Sequence, residues 1–405
     1  MTEQNTPIRI LRIINRFNIG GPTFNVAYLT KYMDSRFETK LIGGIKDDSE
    51  ASSEFILDSL DIKREHVSTM ERSISPSNDR RALAEIKAII RDYDPHIVHT
   101  HAAKSGTLGR LAAIQLGVPI ILHTFHGHVF HSYFGSLKTQ IFKLIERYLA
   151  SKSTRIIAIS KQQKHELGTI HRIAPSSKIE IVPLGFDLSK FREDRDRKRE
   201  VFRSEYGLQD DEVAIGIIGR LVPIKNHDMF IQSINHVLKN QPKARFFIVG
   251  DGESAEELKN TCAEHNVSYV WKAVVDEQHP LCFTSWRTDV DVVMAGLDIV
   301  ALTSLNEGTP VSLIEAQSAG KPVISTKVGG VEDIAVENES AFLVNTSDQP
   351  GFNEKLSELA SDEALRTKMG TLGEGFVEKR CSYTRLVHDM EELYMRLLRE
   401  KKLID

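Results

Sequence analysis

The sequence predicts two consecutive α/β domains, each a doubly wound parallel sheet. Short β-branched runs alternate with longer segments of helical period through residues 8–185, and the same alternation restarts after a charged stretch at 186–208. Strands that alternate with helices need crossover connections, which build parallel sheets covered on both faces. The length of 405 residues agrees, being more than one ordinary core organises.

In the first half the strand candidates are IRILRII (8–14), IVHTH (97–101), PIILHTF (119–125), RIIAIS (155–160) and IEIVPLG (179–185), with helical segments at Arg80–Arg91 and Leu137–Ala150. The stretch FDLSKFREDRDRKREVFRSEYGL reads as a solvated helix with i,i+4 ion pairs and as the boundary between domains at 1–185 and 186–382. VAIGIIG (213–219), ARFFIVG (244–250), LDIVALT (297–303) and KPVIST (321–326) are the strands of the second domain. SYVWKAVVDEQHPLCF (268–283) follows neither period clearly. Near the end, Leu386, Met390, Leu393, Tyr394 and Leu397 share one face of a helix over 383–401, for which the first domain is the expected partner. Two such sheets facing each other leave a cleft at their carboxyl ends, where open α/β sheets take ligands.

Composition narrows the function classes. Hydrophobic residues make up 41% and charged residues 27%, ordinary for a soluble globular chain. A net charge of -4 offers no basic excess for phosphate backbones, so nucleic acid is not an expected partner. Cys262, Cys282 and Cys381 are odd in number and lack C-x-x-C spacing, which points to a reducing, cytoplasmic compartment. The apolar run at 8–14 is too short for a signal-peptide core or a spanning helix. LKTQIFKLIERYLASKSTR mixes Lys138, Lys143, Arg147 and Lys152 with Ile141, Phe142, Leu144 and Leu149. Packing on its own sheet is the preferred reading, and peripheral contact with the inner face of an anionic membrane is the alternative.

Three loops have the makings of an anion site. NIGGPTFNVAYL (18–29) follows the first strand and opens a helix, where Gly20 and Gly21 let backbone amides approach an anion. Neither G-x-G-x-x-G nor G-x-x-x-x-G-K-[ST] occurs, which removes the best support for dinucleotide and P-loop readings. GIIGRLVPIKNHDMFI (216–231) puts Arg220 and Lys225 in a βα loop, where they can neutralise a diphosphate, one by a forked pair of hydrogen bonds and the other as a point charge. In LNEGTPVSLIEAQSAGKP (305–322), Pro310 suits the first helical position, leaving Glu307 just ahead of the helix and Glu315 in its second turn. Glu307 there suits the helix dipole. Glu315, among Val311, Ile314 and Ala316, needs a donor partner such as a ribose diol to stay ionised.

HTFHGHVFH gathers His123, His126, His128 and His131 near His96, His99 and His101. H-E-x-x-H is absent and KHELGTIH has the wrong spacing, so a polar contact from His126 to a sugar is preferred to zinc. No metal or cofactor is expected.

Together these segments resemble the retaining glycosyltransferases of the GT-B class known as glycosyltransferase family 4, or glycosyl transferases group 1. The resemblance rests on EGTPVSLIEA with its E-x7-E pair, GRLVPIKN, VGDGE (249–253), FTSWRTDV, GKPVIS, VGGVEDI, IGGPTFNV, HTFHGH and VPLGFD, in the family's order across residues 8–335. It implies two Rossmann-like domains facing across a cleft, a C-terminal helix crossing back to the first, and a nucleotide-sugar donor, expected to be a UDP-sugar, held mainly by the second. By the same resemblance Glu315 holds the ribose hydroxyls, Arg220 and Lys225 the diphosphate, and Glu307 the donor sugar. Gly20 and Gly21 then lie near the phosphates, His126 beside the sugar, and Gly308, Thr309, Val311 and Ser312 at phosphate or sugar contacts. The implied reaction is hexosyl transfer to a hydroxyl of a saccharide or lipid-linked saccharide acceptor, in surface polysaccharide or glycoconjugate synthesis. Ser285 stands where the family carries the glycine of F-x-G-W. A non-catalytic sugar-nucleotide or glycan binder and a sugar-nucleotide epimerase share the architecture and are the alternatives.

Overall fold

The computed structural model describes residues 7–17, 21–45, 52–71, 75–126 and 136–405. The chain divides into two compact units, one of residues 1–186 with 382–405 and one of residues 187–381. The first contains β1 (Ile8–Arg16), α1 (Gly21–Lys31), β2 (Phe37–Gly44), α2 (Glu54–Ser59), β3 (Arg64–Val67), α3 (Pro76–Tyr93), β4 (Ile97–His101), α4 (Ala103–Leu116), β5 (Ile120–Phe125), α5 (Ser136–Lys152), β6 (Arg155–Ala158), α6 (Lys161–His165) and β7 (Ile179–Ile181). The second contains α7 (Arg195–Glu205), β8 (Val213–Ile218), α8 (His227–Asn240), β9 (Ala244–Val249), α9 (Ala255–Glu264), β10 (Tyr269–Trp271), β11 (Leu281–Ser285), α10 (Val290–Gly296), β12 (Ile299–Leu302), α11 (Val311–Ser318), β13 (Val323–Thr326), α12 (Val331–Ile334), β14 (Ala341–Val344), α13 (Gln349–Ser361) and α14 (Glu363–Cys381). Finally α15 (Tyr383–Glu400) belongs to the first unit.

Among the described residues each unit has one seven-stranded sheet, ordered β3-β2-β1-β4-β5-β6-β7 and β10-β11-β9-β8-β12-β13-β14. The strand pairs are parallel, with β12 entering beside β8 at Ile299↔Ile215. Every position of β4, β5 and β9 is buried. Strands apolar on both faces are stable only between two helical layers, which the crossover helices supply. The unparsed stretch at 268–283 holds β10, a three-residue edge strand, and the start of β11, paired Tyr269↔Leu281 to Trp271↔Phe283.

On one face of the first sheet, Leu11, Ile13 and Val98 pack with Ile86 and Ile90 of α3 and Ala112 of α4. On the other, Ile10, Ile97 and Leu122 meet Leu386, Met390, Leu393, Tyr394 and Leu397 of α15. Burying each such side chain contributes about 1.5–3 kcal/mol, so α15 closes a face that would otherwise stay wet.

Beneath α15 lies a polar knot. Arg12 is fully buried; it donates to the Leu29 carbonyl at 3.3 Å and the Tyr394 hydroxyl at 3.3 Å, and its guanidinium lies 3.2 Å from His99 Nδ1. Because arginine only donates, His99 Nδ1 accepts, and His99 Nε2 carries the proton offered to Thr124 Oγ1 at 2.8 Å. Burial, then the Arg12 charge, hold the His99 pKa well below its ordinary value, so the ring is neutral.

Helix α5 departs from the expected packing. Leu149 is buried as anticipated, but Ile141 and Leu144 are exposed, while Glu146 faces inward. The fully buried Arg110 donates to both Glu146 oxygens, at 2.8 and 2.7 Å, and to the Gly106 carbonyl at 2.7 Å. No helix among the described residues is long and apolar enough to cross a membrane.

Removing one member of such a buried pair leaves an uncompensated charge. Glu146→Ala is therefore expected to cost about 3–5 kcal/mol in denaturant unfolding, and Arg110→Met combined with Glu146→Leu to cost less than Glu146→Ala alone.

Candidate functional site

Both sheets reverse strand order, at β1/β4 and at β8/β12. The loops diverge at such a reversal and leave a crevice at the carboxyl edge. The predicted cations and acids of the second unit lie at its reversal.

Lys225 ends a short turn, Pro223–Lys225, ahead of Asn226 at φ 50°. The turn is pinned to the exit of β12, with Leu305 N donating to the Ile224 carbonyl at 2.8 Å and Thr303 Oγ1 to the Lys225 carbonyl at 3.0 Å. Lys225 Nζ thereby donates to Glu307 Oε1 at 2.5 Å, and Ser304 Oγ donates to the same oxygen at 2.6 Å. The sequence motifs assign these two side chains to different parts of a ligand; the structure pairs them directly.

Glycines hold the Glu307 loop in place. A Cβ on Gly329 (φ 53°) would lie 1.7 Å from the Glu307 carbonyl oxygen, and one on Gly330 would lie 2.2 Å from that of Gly308. Gly330 N donates to that same Gly308 oxygen at 2.9 Å. The VGDGE loop is equally close to the Arg220 loop, a Cβ on Gly250 falling 1.9 Å from the Gly219 oxygen. Arg220 itself is exposed and makes no ion pair among the described residues.

Pro310 occupies the cap position of α11 rather than its first helical position, which falls to Val311. The amides of Val311 and Ser312, in the first turn, have no acceptor within the helix. Space beside Gly308 is open, with nothing within 4 Å of where a Cβ would sit. Glu315 is partly buried, and its carboxyl makes no hydrogen bond or ion pair among the described residues. Burial pushes its pKa up to about 7, with Lys190 opposing the rise and Asp291 adding to it.

Ser285 has φ 64°, the left-handed backbone that glycine adopts without strain. Its Oγ donates to Asp251 Oδ2 at 3.2 Å and its carbonyl accepts from Gly250 N at 3.1 Å, so the serine keeps the turn with a polar contact.

In the first unit Gly21 begins α1, while Gly20, His128 and His131 lie outside the described residues. His126 follows β5, and its Nε2 is 2.9 Å from His101 Nδ1 at the end of β4. Burial lowers the His126 pKa to about 4 and that of His101 well below the usual range, so both rings are neutral. One proton then lies between them, leaving one outer nitrogen as donor and the other as acceptor. Neither outer nitrogen, His101 Nε2 or His126 Nδ1, has a partner among the described residues. In the sequence His101 is one of a cluster, and only the strand register reveals its pairing.

His96 and His123 serve other contacts: His96 Nδ1 accepts from Arg9 N at 3.0 Å, and His123 Nδ1 lies 2.9 Å from Thr100 Oγ1. Among the described residues no three His, Cys, Asp or Glu side chains group as a metal site. A cavity lined by Arg199, Asp298, Lys321 and Arg366 opens at the amino edge of the second sheet, away from these loops, and Asp298 already pairs with Arg199 at 2.7 Å.

The family models agree with this arrangement. Residues 19–190 match the model described as Glycosyltransferase Family 4, and residues 198–375 match Glycosyl transferases group 1. The UDP-Gal:alpha-D-GlcNAc-diphosphoundecaprenol alpha-1,3-galactosyltransferase of Escherichia coli is 32% identical over 302 residues, covering 74% of this chain and 75% of that protein. The capsular polysaccharide biosynthesis glycosyltransferase CapM of Staphylococcus aureus is 27% identical over 342 residues, covering 83% and 86%. The crystal structure of Anabaena HepE in complex with UDP shares the fold at a TM-score of 0.79 and 18% identity, covering 96% of this chain and 100% of that one. Two Rossmann-like units with these relatives define a GT-B glycosyltransferase. The chain belongs to glycosyltransferase family 4, whose second half is the glycosyl transferases group 1 region.

Two outcomes test the geometry. Gly329→Ala is expected to lower stability by about 1–2 kcal/mol from the left-handed backbone alone, with more from the contact at Glu307, whereas Gly375→Ala, in open space on α14, is neutral or stabilising. Since the folded pKa of Glu315 is raised from 4.5 to about 7, its contribution is fully present below about pH 4.5 and is lost as pH rises through about 7. Urea unfolding of Glu315→Gln, compared with the parent at pH 5 and pH 8, should remove a decline of about 2–3 kcal/mol.

Proposed function

We propose that this enzyme transfers a sugar, with retention of anomeric configuration, from a UDP-sugar to a hydroxyl of a saccharide or lipid-linked saccharide acceptor in surface polysaccharide or glycoconjugate synthesis. The observation that carries this reading is the Lys225–Glu307 pair at the strand-order reversal of the second sheet. A diphosphate arriving there competes with Glu307 for the lysine. Once Lys225 turns to phosphate, the Glu307 carboxylate is freed to accept hydrogen bonds from hydroxyls of the donor sugar. Arg220 adds a forked donor to the same diphosphate, and the amides of Val311 and Ser312 add the positive end of α11.

Charge growing on the departing diphosphate is stabilised by groups already in place, an effect that usually contributes more to such catalysis than any other. Glu315, without a partner among the described residues, accepts from the ribose hydroxyls and ionises as they bind. His126, with its tautomer coupled to His101, offers one polar contact to the sugar. Retention follows if the acceptor attacks on the face the leaving group departs and a phosphate oxygen takes its proton, which needs no second carboxylate across the ring. The names of the galactosyltransferase and CapM relatives, and the UDP-bound neighbour, support the donor and acceptor classes.

A thermal-shift screen of nucleoside diphosphates and their sugar conjugates should show UDP forms raising the melting temperature. Lys225→Ala is expected to lower kcat about 100-fold, and Glu315→Gln to weaken UDP about tenfold or more. In the parent, UDP affinity should rise with pH up to about 7 as Glu315 ionises, and this dependence should vanish in Glu315→Gln. NMR of the product then reads the anomer; an inverted product would refute retention, and normal turnover by both variants would refute the site.

A further inference from the structure

We propose that His101 is a positioning residue for His126, holding that imidazole in one orientation and one tautomer. The inference rests on the reading of His126 as a sugar contact and names the residue that sets the contact. His101 ends β4 fully buried, and its Nδ1 is 2.9 Å from His126 Nε2. When one nitrogen of a neutral imidazole is committed to a hydrogen bond, that bond decides whether the other nitrogen donates or accepts. The outer nitrogen of His126, Nδ1, is buried without a partner among the described residues. Among them, therefore, His101 alone fixes whether Nδ1 shows a proton or a lone pair.

The His101 ring is itself clamped. His99, two residues back on the same face of β4, lies against it with ring centroids 4.2 Å apart. His99 cannot turn away, because both its nitrogens are engaged: Nδ1 is 2.6 Å from the Tyr394 hydroxyl and 3.2 Å from Arg12, and Nε2 is 2.8 Å from Thr124 Oγ1. On the other side the centroids of His101 and His126 are 5.2 Å apart at an interplanar angle of 28°. With the two nitrogens at 2.9 Å, that separation means the rings meet edge to edge, which aligns an N–H with the lone pair opposite.

The backbone is tied as well. The His101 carbonyl accepts from Ser105 Oγ. Ala102, next in the chain, has φ 68° and ψ 171°, a conformation that only glycine takes without strain. Strain of this kind persists where the surroundings over-determine the backbone, and it gathers at functional sites. One turn into α4, a Cβ on Gly106 would lie 2.4 Å from His123 Cε1, so α4 is pressed against β5, the strand that His126 follows. Packing alone does not explain an imidazole at this corner. His101 Nε2 is buried without a partner among the described residues, a cost that an apolar side chain would avoid.

The first test is NMR of the full chain with nitrogen-15 in its histidine rings, where the shifts separate the two neutral tautomers. His126 should show a single tautomer in the parent, a changed or mixed state in His101→Leu, and the parental state again in His101→Asn, whose amide stands where Nδ1 stood. The second is turnover, read as UDP released from UDP-glucose or UDP-galactose, whichever raises the melting temperature more. His101→Leu should lower kcat about tenfold, His101→Asn should recover most of it, and His101→Leu should cost nothing further in a His126→Ala background. A purely structural role would lower kcat equally in both backgrounds, and that result overturns the proposal. So does a His126 spectrum that is the same in the parent and His101→Leu, and so does a mixture of tautomers in the parent, which needs no variant to fold. Parental turnover by His126→Ala would refute the sugar contact instead, and the spectra would still decide whether His101 holds the ring.

Discussion

The Lys225–Glu307 ion pair depends on backbone touching backbone. Glu307 reaches the lysine because its loop is trapped between the Pro223–Lys225 turn on one side and Gly329 and Gly330 on the other. A side chain on either glycine would overlap a carbonyl oxygen, so these approaches are available only to glycine. The same device seats the Arg220 loop on Gly250 and Gly252. Groups held by main-chain contacts need little reorganisation when charge develops nearby, which is the property an electrostatic catalyst requires.

Desolvation organises the polar groups of both units in different ways. In the first it neutralises histidines: His99, His101, His123 and His126 are all held below their ordinary pKa by burial. Neutral imidazoles have one donor and one acceptor each, so their bonding directions are fixed by partners such as Arg12 and Thr124. In the second unit burial leaves Glu315 poised between two charge states. A carboxyl in that condition responds to an incoming hydroxyl donor more strongly than one already solvated.

Much of the architecture was legible because the central strands are apolar on both faces and β-branched. VAIGIIG could be placed within one residue for that reason, and IVHTH by its β-branched residues, since its histidines and threonine are polar although buried. Five strands are missed: FETKLIGG mixes charged with apolar residues, REHV, YVW and AFLV are short strands at or beside sheet edges, and LCFTS, although buried, is only five residues long and begins inside the stretch that follows neither period. The candidate site was legible as residue types in loops, since cations, acids and glycines announce themselves beside strand ends. Its connections were not, because Lys225 and Glu307 are 82 residues apart in sequence and only strand order brings them together. The inverted packing of α5 was hidden for a related reason: a helical wheel shows an apolar stripe but not which way it points, and the deciding partner, Arg110, is on another helix.

The return of α15 has a consequence for how the protein is made. Residues 383–400 are synthesised after all of the second unit, yet they cover Ile10, Ile97 and Leu122 on the first sheet and supply Tyr394 to the buried Arg12. On the ribosome, therefore, the first unit emerges with one face bare and an arginine missing one of its acceptors, while residues 187–381 can already complete their own core. The later half is the earlier one to finish, and the nascent first half must be kept from aggregating until the final helix arrives.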